Sequence, residues 1–366
     1  MVKLIVLVIP LALLLLGCSV KADDEEIILG YEIVEIVENS NSEAYGWMQF
    51  AKGDLVFVQK PSMPTISFNL STAEIREIGV IGEGPGEYKL FSTSILLDND
   101  TLYLGNLFKG ELILYDSSFN YITQKKSFLL EGERIVKLND SLIVGTRTSE
   151  DFIFVVYNLN TEKEIIHFGK PIEYPGDADK SRLVREGRLY PTSSAWNIKD
   201  SLLYWYDGYN DNIRVYNIFS KELDTVLGRT HAGFHLPPVV DHPGDAYHGP
   251  TTVALSADIS GITVSENYLF VLMGKNWTVW DGKLSAQYGD EKPLFLEDDY
   301  YFVDIYDLKN YGYCGTIYPL NDFIFDDDRR YRSHLIDVEN DSILNIYLQG
   351  HEDWEYYIKL SVLIHQ

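Results

Sequence analysis

A short phrase recurs six times along this chain: one or two turn-forming residues, then Leu or Ile, then a hydrophobic strand. Asp and Ser side chains can hydrogen-bond their own backbone and so start a tight turn, while the apolar residue that follows enters a strand. The six copies are Gly53-Asp54-Leu55, Asp100-Thr101-Leu102, Asp140-Ser141-Leu142, Asp200-Ser201-Leu202, Asn267-Tyr268-Leu269 and Asp341-Ser342-Ile343. Recurrence at intervals of roughly 40 residues or more indicates a repeat architecture.

Each unit resolves into four short strands. Most copies are followed by an apolar strand that ends in an aromatic and a turn residue, as in Ile113-Leu114-Tyr115-Asp116. In the second unit the strands are predicted at 94–97, 102–105, 111–115 and 121–128. No segment after the N-terminal hydrophobic run shows sustained helical periodicity. The sequence therefore predicts an all-β fold, a six-bladed β-propeller with four-stranded antiparallel blades.

The two ends of the chain are predicted to meet in one blade. The sixth unit offers only three strands, at 333–338, 343–348 and 355–364. The hydrophobic segment 31–37 is unused and can supply the fourth strand. This pairing closes the ring and removes an open sheet edge.

The N-terminus predicts an export signal with a lipid anchor. An apolar run too short for a permanent membrane span follows Lys3. It ends in Leu15-Leu16-Gly17-Cys18, which resembles the bacterial lipobox, whose cysteine is acylated, for example with palmitate. Acylation of Cys18 anchors the protein to a membrane, and an ordinary secretory signal with a chance cysteine is the alternative. The predicted division is a signal peptide at 1–17, an acidic tether at 18–30 and a propeller domain at 31–366.

The segment after Cys18 bears on the location of the protein. Residues 23–26 are Asp-Asp-Glu-Glu, and such a cluster resembles the surface-export signal of lipoproteins from the Bacteroides group. We therefore expect a lipid-anchored outer-membrane protein displayed on the cell surface, with the periplasmic leaflet as the alternative. The cluster is equally explained as a solvated tether. With Cys18 acylated, Cys314 has no partner for an intrachain disulfide and is expected to be a small buried hydrophobe.

The net charge of −25 limits the partners. Proteins that bind nucleic acid need basic faces, so no nucleic-acid partner is expected. A polyanionic ligand is also disfavoured, unless local basic residues override the overall field. Cations, neutral glycans, basic peptides and outer-membrane proteins remain possible partners.

One stretch carries a family resemblance. Gly82-Glu83-Gly84-Pro85-Gly86-Glu87-Tyr88, followed by Leu102-Tyr103-Leu104 and Ile113-Leu114-Tyr115-Asp116, is similar to the TolB-like six-bladed propeller lipoproteins of the Bacteroides group and to one NHL-type repeat. Members of that lipoprotein family mostly lack an assigned activity, so the resemblance implies fold and location more than function. The glycine-rich string is interpreted as a structural loop, since no helix or basic residue follows it to make a phosphate cradle.

Three insertions are predicted to share one face of the disc. They lie at about 170–192, 230–258 and 275–299. The first two connect the last strand of one blade to the first of the next, and the third joins the second and third strands of a blade. Because the strands of a blade alternate in direction, both kinds of connection emerge at the same end. Binding residues concentrate on such loops.

The candidate ligand-binding residues lie in or near these insertions. An arginine cluster could clamp a carboxylate or sulfate, or only pair with the acidic surface. Aromatic side chains beside a carboxylate suit the faces and hydroxyls of sugar rings. These candidates are Arg182, Arg185, Arg188, Tyr206, Asp207, Tyr209 and Trp277.

The second insertion also carries half of the histidines. Neutral imidazoles and carboxylates can bind a transition metal, but no pair has a spacing that fixes ligand geometry. The weak metal candidates are His231, His235, Asp241, His242 and His248. A histidine-rich surface loop is the alternative. No cofactor is predicted, although calcium or a transition metal is left open.

Three functions remain open, and the fold does not decide between them. The favoured one is a non-catalytic envelope module that binds a glycan or peptide. The second is a carbohydrate lyase, hydrolase or lactonase-like enzyme on the same face. We find no sialidase box, Gly-x-Ser-x-Gly elbow or His-Glu-x-x-His motif, which makes an enzyme the less favoured reading. The third is a scaffold subunit of an outer-membrane complex.

Overall fold

The computed structural model contains strands, turns and one short 3-10 helix at Ser42–Ala44 in the residues that it describes. These residues are 27–44, 46–59, 63–88, 94–106, 109–126, 134–147, 149, 151–170, 196–207, 212–228, 255–277, 301–320, 331–350 and 356–365. Within them, no helix has the length and apolar character needed to cross a membrane.

Six antiparallel sheets of four strands form the blades, numbered I to VI. Blade I has β2 (Trp47–Lys52), β3 (Leu55–Gln59), β4 (Thr65–Asn69) and β5 (Ile75–Ile78). Blade II has β8 (Ser94–Asp98), β9 (Thr101–Asn106), β10 (Glu111–Asp116) and β11 (Tyr121–Lys126). Blade III has β12 (Ile135–Asn139), β13 (Leu142–Thr146), β14 (Phe154–Asn158) and β15 (Lys163–Phe168).

The second half of the chain repeats this plan. Blade IV has β16 (Trp196–Lys199), β17 (Leu202–Asp207), β18 (Asn212–Asn217) and β19 (Leu223–Leu227). Blade V has β20 (Leu255–Val264), β21 (Tyr268–Trp277), β22 (Tyr301–Asp307) and β23 (Tyr313–Ile317). Blade VI has β24 (Tyr331–Val338), β25 (Ile343–Gly350), β26 (Tyr356–Ile364) and the N-terminal strand β1 (Tyr31–Ser40). The short strands β6 (Val80–Ile81) and β7 (Glu87–Tyr88) pair in parallel between blades I and II.

The first strands of successive blades lie side by side in a closed ring. Strand β2 neighbours β8, β8 neighbours β12, and the series continues through β16, β20 and β24 back to β2. In each blade we call the strands a to d from this inner ring outward. The predicted six-bladed propeller is confirmed, and the predicted strands of blade II agree with the observed ones to within two residues.

Both faces of a blade are buried against its neighbours, which explains the continuous apolar runs in the b and c strands. In β17, Leu203 and Trp205 pack in a cluster with Phe154 of blade III. The alternate residues Tyr204 and Tyr206 pack in a second cluster with blade V. These four side chains are at most 3% exposed. Burying one such large side chain stabilises the fold by about 1.5 to 3 kcal/mol.

The c–d turns use one chemical device in blades I to V. The c strand ends in Asn or Asp, whose side-chain oxygen accepts backbone N–H groups of the turn, and a residue with positive φ follows. In blade III, Asn158 Oδ1 accepts from Asn160 and Thr161 at 2.9 Å each, and Glu162 has a φ of 55°. The capping residues are Asn69, Asp116, Asn158, Asn217 and Asp307. Such turns form from local sequence alone.

The outer strands of blades II to VI each contain a β-bulge. One residue of the d strand has no partner across the c–d ladder. These residues are Ile122, Ile165, Asp224, Cys314 and, in β1, Val34. Cys314 is a free thiol as expected, but it is half-buried rather than buried because it occupies a bulge at the rim.

The N-terminal strand closes the ring, as predicted. Strand β1 pairs with β26 from Tyr31 opposite Ile364 to Ser40 opposite Tyr356. Lys359 of β26 lies between two carboxylates: its Nζ is 2.9 Å from Glu35 of β1 and also contacts Asp54 in the a–b turn of blade I. Blade VI is therefore tied both to its own outer strand and to blade I.

The chain immediately before β1 is also docked. The Leu29 N–H donates to the carbonyl of Thr316 in β23 at 2.9 Å, and the Thr316 N–H donates to the carbonyl of Ile27 at 2.7 Å. Residues 27–29 therefore extend the outer edge of blade V, although the sequence placed them in the tether.

Candidate functional site

The connections between strands fall on two faces of the disc. Strands alternate in direction within each blade, so the a–b and c–d turns share one face, called here the turn face. The b–c loops and d-to-a connections share the other, called here the long-loop face. The three insertions lie between β15 and β16, between β19 and β20, and between β21 and β22. All three therefore leave the ring on the long-loop face, as predicted.

Most of the predicted site residues lie outside the described residues, in two of these insertions, in the N-terminal segment or, for Tyr209, in the loop between β17 and β18. They are Cys18, Arg182, Arg185, Arg188, Tyr209, His231, His235, Asp241, His242 and His248. Asp207 and Trp277 are the last residues of β17 and β21, at the long-loop ends of two b strands. Tyr206 is 3% exposed and packs in the cluster between blades IV and V. Among the described residues, no group of three or more His, Cys, Asp or Glu side chains could hold a metal ion.

The inner strands carry an arginine that the sequence analysis did not single out. Arg134 immediately precedes β12, at the long-loop end of the inner strand of blade III. Its backbone bridges to Ile95 in the inner strand of blade II. Its guanidinium lies over the indole ring of Trp196, with Cζ 6.0 Å from the ring centroid. Trp196 begins the inner strand of blade IV and is 1% exposed. Arg134 therefore contacts the inner strands of three successive blades.

The surroundings of Arg134 shift the pKa of its guanidinium. Burial lowers its pKa to about 10, and the carboxylate that acts against this effect is Asp337. Asp337 lies in β24, the inner strand of blade VI. Asp337 is the penultimate residue of β24, beside the a–b turn, so its backbone lies at the turn-face end of the inner ring, whereas that of Arg134 lies at the long-loop end.

Asp337 is partly buried. Burial raises the pKa of its carboxyl group, while the Val338 backbone and the cations Lys52 and Arg134 partly offset the shift. None of the ion pairs formed among the described residues includes Arg134 or Asp337. Arg134 and Asp337 are thus two partly buried, oppositely charged side chains of the inner strands that form no ion pair with each other. A guanidinium in this state is a strong binder of a carboxylate or similar anion.

A second polar cluster lies at the long-loop end of blade II. Asn106 and Glu111 face each other across the β9–β10 ladder and are 0% and 6% exposed. Glu111 Oε1 accepts from Gln124 Nε2 at 3.3 Å and from Lys126 Nζ. Both polar atoms of the Asn106 amide and Glu111 Oε2 lack a hydrogen-bond partner in the described structure. Burial without a partner costs free energy, so this cluster can receive a water molecule or a polar group of a ligand.

The free-energy cost of burying the unpartnered Asn106 amide leads to a prediction about the stability of the protein. Replacing Asn106 with Leu removes the unpartnered amide at nearly constant volume, and we expect urea unfolding to show a gain of about 1 kcal/mol in the free energy of unfolding. Asn197 is the matched control, because its amide accepts from the Ile198 N–H at 2.8 Å and donates to the Ile262 carbonyl at 3.3 Å. Asn197→Leu should lower the stability. A comparable loss in Asn106→Leu would mean that the Asn106 amide is hydrogen-bonded in solution.

The glycine-rich string beside this cluster is a structural loop. The Gly84 N–H donates to the Glu87 carboxylate at 2.6 Å, and Tyr115 OH donates to the Gly86 carbonyl at 2.8 Å. Gly86 has a φ of 75°, and a Cβ placed there would lie 2.6 Å from the ring of Tyr121. The string therefore packs against the two outer strands of blade II.

Sequence comparison identifies no family. No protein-family model matches this chain, and no curated protein matches it. Solved structures with a similar fold are found by comparison of the structures.

Two solved structures from Bacteroides species match nearly the whole chain. One is a Bacteroides fragilis protein described as exported: it is 15% identical with a TM-score of 0.51, and the match covers 95% of this chain and 98% of that one. The other is a member of the DUF4221 family from Bacteroides vulgatus, 11% identical with a TM-score of 0.57, and the match covers 93% and 100% of the two chains. At these identities the likeness concerns the fold: this chain is a six-bladed β-propeller similar to these two proteins.

Proposed function

We propose that this protein is an exported, non-catalytic lipoprotein of the cell envelope whose long-loop face binds a ligand, either a glycan or a peptide. The observation that carries the proposal is Arg134, a partly buried guanidinium at the long-loop end of the inner strands, which lies over Trp196 and forms no ion pair with any described residue. A rigid ring with three long insertions around such a group is suited to binding. Arg182, Arg185, Arg188, Asp207, Tyr209 and Trp277 are the proposed contributors from the loops and strand ends of that face.

The proposed location follows from the N-terminus. Acylation of Cys18 would anchor the protein in the outer membrane, and the acidic residues after it favour display on the cell surface. We place the chain with the TolB-like propeller lipoproteins of the Bacteroides group, and the Bacteroides origin of two similar folds supports this assignment. In cells, the unchanged protein should incorporate labelled palmitate and fractionate with membranes. Cys18→Ser should lose both properties. Retention of both would contradict the anchor.

The binding function is tested with the soluble domain, residues 27–366. A panel of glycans and peptides is screened by thermal shift, hits are measured by calorimetry, and each hit is incubated with protein and analysed for products. We expect stoichiometric binding of at least one compound without turnover. Turnover would identify an enzyme instead. Failure to bind any compound, together with co-purification of an outer-membrane protein, would identify a scaffold and contradict the proposal.

A further inference from the structure

We infer that the ligand of the long-loop face is a neutral sugar, and that two neighbouring hydroxyl groups of its ring bind to Asn106 and Glu111 between blades I and II. This inference rests on the proposed binding function and adds the chemical class of the ligand and the residues that anchor it.

The first step is the position of the two residues. Asn106 ends β9 and Glu111 begins β10, so both lie at the long-loop end of blade II. They are directly opposite each other in the β9–β10 ladder, and Lys126 of β11 is opposite Glu111. Side chains opposite each other in antiparallel strands share one face of the sheet, with their Cβ atoms about 5 Å apart. Leu104, two residues before Asn106 and so on the same face, packs in a cluster with Phe57 of blade I. The three polar side chains therefore form one row that faces blade I.

The second step is the set of hydrogen bonds that this row leaves unmade. Asn106 is 0% exposed and Glu111 is 6% exposed. Within the part of the chain that the structure describes, the Asn106 amide oxygen, the Asn106 amide nitrogen and Glu111 Oε2 have no partner. The neighbouring amide of Gln124 is satisfied, because its nitrogen donates to Glu111 Oε1 at 3.3 Å and its oxygen accepts from the Gly86 N–H at 3.3 Å. The row thus presents two acceptors and one donor group side by side, at a cost to the fold.

The third step is the charge of the row. Lys126 Nζ contacts Glu111 Oε1, so the ammonium compensates the carboxylate. An anion would find the lysine already paired, and a metal ion would find an ammonium beside one of the two unpartnered oxygens. A neutral group is therefore favoured. The Lys126 side chain is 58% exposed, so the carboxylate that it contacts lies close beneath the surface.

The fourth step is the match to a sugar ring. A hydroxyl group both donates and accepts hydrogen bonds. One hydroxyl can donate to Glu111 Oε2 while it accepts from the Asn106 nitrogen, and its neighbour can donate to Asn106 Oδ1. A peptide group has one donor and one acceptor that point in opposite directions, so it cannot satisfy both acceptors. Neighbouring hydroxyl groups on one ring satisfy all three atoms.

The test uses residues 27–366 and the methyl glycosides of glucose, galactose and mannose, titrated by ligand-observed NMR. We expect at least one of them to bind. Among its monodeoxy forms, the two that lack adjacent hydroxyl groups should bind about tenfold more weakly, and the others within about twofold. Asn106→Leu should also bind at least about tenfold more weakly although it is more stable than the unchanged protein, a combination that a purely structural amide would not produce. Glu111→Gln, which replaces the charged acceptor with a neutral amide, should weaken binding several-fold.

The matched control is Asn345→Leu. Asn345 is also a 0% exposed residue of a b strand, but its amide donates to Glu339 Oε1 at 3.1 Å and accepts from the Ser361 hydroxyl at 2.7 Å, near the turn face. This variant should be less stable and bind with unchanged affinity. If it does not fold, Arg76→Gln, at an exposed ion pair with Glu74, takes its place.

The outcomes separate this inference from the proposed function. Equal affinity of Asn106→Leu and the unchanged protein would mean that the row holds ordered water only, and it overturns the inference while the binding function stands. Binding of peptides but of no glycoside has the same meaning. The absence of any ligand in the wider screen overturns both.

Discussion

Removal of residues 1–40 is expected to abolish cooperative folding, whereas removal of residues 1–26 is expected to leave it intact. The two truncations differ by the docked segment 27–30 and by β1, which pairs with β26 through nine residue pairs. Net stabilisation of about 0.5 to 1.5 kcal/mol per hydrogen bond makes this ladder comparable to the whole stability of a domain, about 5 to 15 kcal/mol. Its loss also exposes the edge of β26, where Tyr357, Ile358, Leu360 and Val362 are buried.

Both truncations are measured by thermal unfolding, followed by circular dichroism, and by gel filtration. The protein that starts at residue 27 should melt cooperatively as a monomer. The protein that starts at residue 41 should aggregate, because an open, apolar sheet edge pairs with other chains. A synthetic peptide of residues 27–42 added during refolding should restore soluble protein. A monomeric, cooperatively folded 41–366 chain would refute closure by β1.

Lys359→Met is expected to lower the free energy of unfolding by about 2 kcal/mol at neutral pH. The Lys359 side chain is 6% exposed and contacts Asp54 and Glu35, whose side chains are 36% and 53% exposed. Breaking a fully buried pair costs about 3 to 5 kcal/mol, and the partial exposure of the carboxylates reduces that figure. Lys309→Met, at an exposed position in the c–d turn of blade V, is the control and should change stability by less than about 0.5 kcal/mol. Equal effects of the two substitutions in urea unfolding would contradict the prediction.

The contacts of Lys359 with Asp54 and Glu35 also make the free energy of unfolding depend on pH. Hydrogen bonds from Lys359 and Ser71 lower the pKa of Asp54 below 3.8, so its contribution is present above that pH and is lost as the pH falls through the lowered pKa. Burial lowers the pKa of Lys359, but hydrogen bonds with Asp54 and Glu35 outweigh it and raise the pKa above 10.5. The lysine contribution is therefore complete below that pH and is lost as the pH rises through the raised pKa. The difference in stability between the unchanged protein and Lys359→Met should be constant between about pH 4 and 10 and shrink on both sides.

The architecture was predictable because the turns between strands have a local sequence pattern that recurs in each blade. The Asn or Asp that ends each c strand of blades I to V bonds the backbone of its own turn, so each of these turns can be recognised without knowing its neighbours. The missing strand of blade VI could be counted because the other units each showed four. The docking of residues 27–29 on β23 was not predictable, because a two-bond contact between segments almost 290 residues apart leaves no periodic signal.

The candidate site was harder to find for a related reason. In the sequence, Arg134 is one basic residue before an ordinary strand. Its importance arises only when the ring brings Trp196 beside it, and Trp196 is not near it along the chain. The sequence likewise does not show that the Asn106 amide is buried without a hydrogen-bond partner, because this follows only from the packing of the blade. The loop residues proposed from sequence, such as Arg182 and His242, remain predictions because they lie outside the described residues.

The bulges in the outer strands affect whether neighbouring copies of the protein can pair edge to edge. A regular outermost strand offers evenly spaced backbone donors and acceptors to any strand that approaches it. In blades II to VI one extra residue interrupts that spacing, so a neighbouring disc cannot continue the sheet from rim to rim. Copies crowded side by side on a surface would thus stay separate particles instead of growing into fibrils.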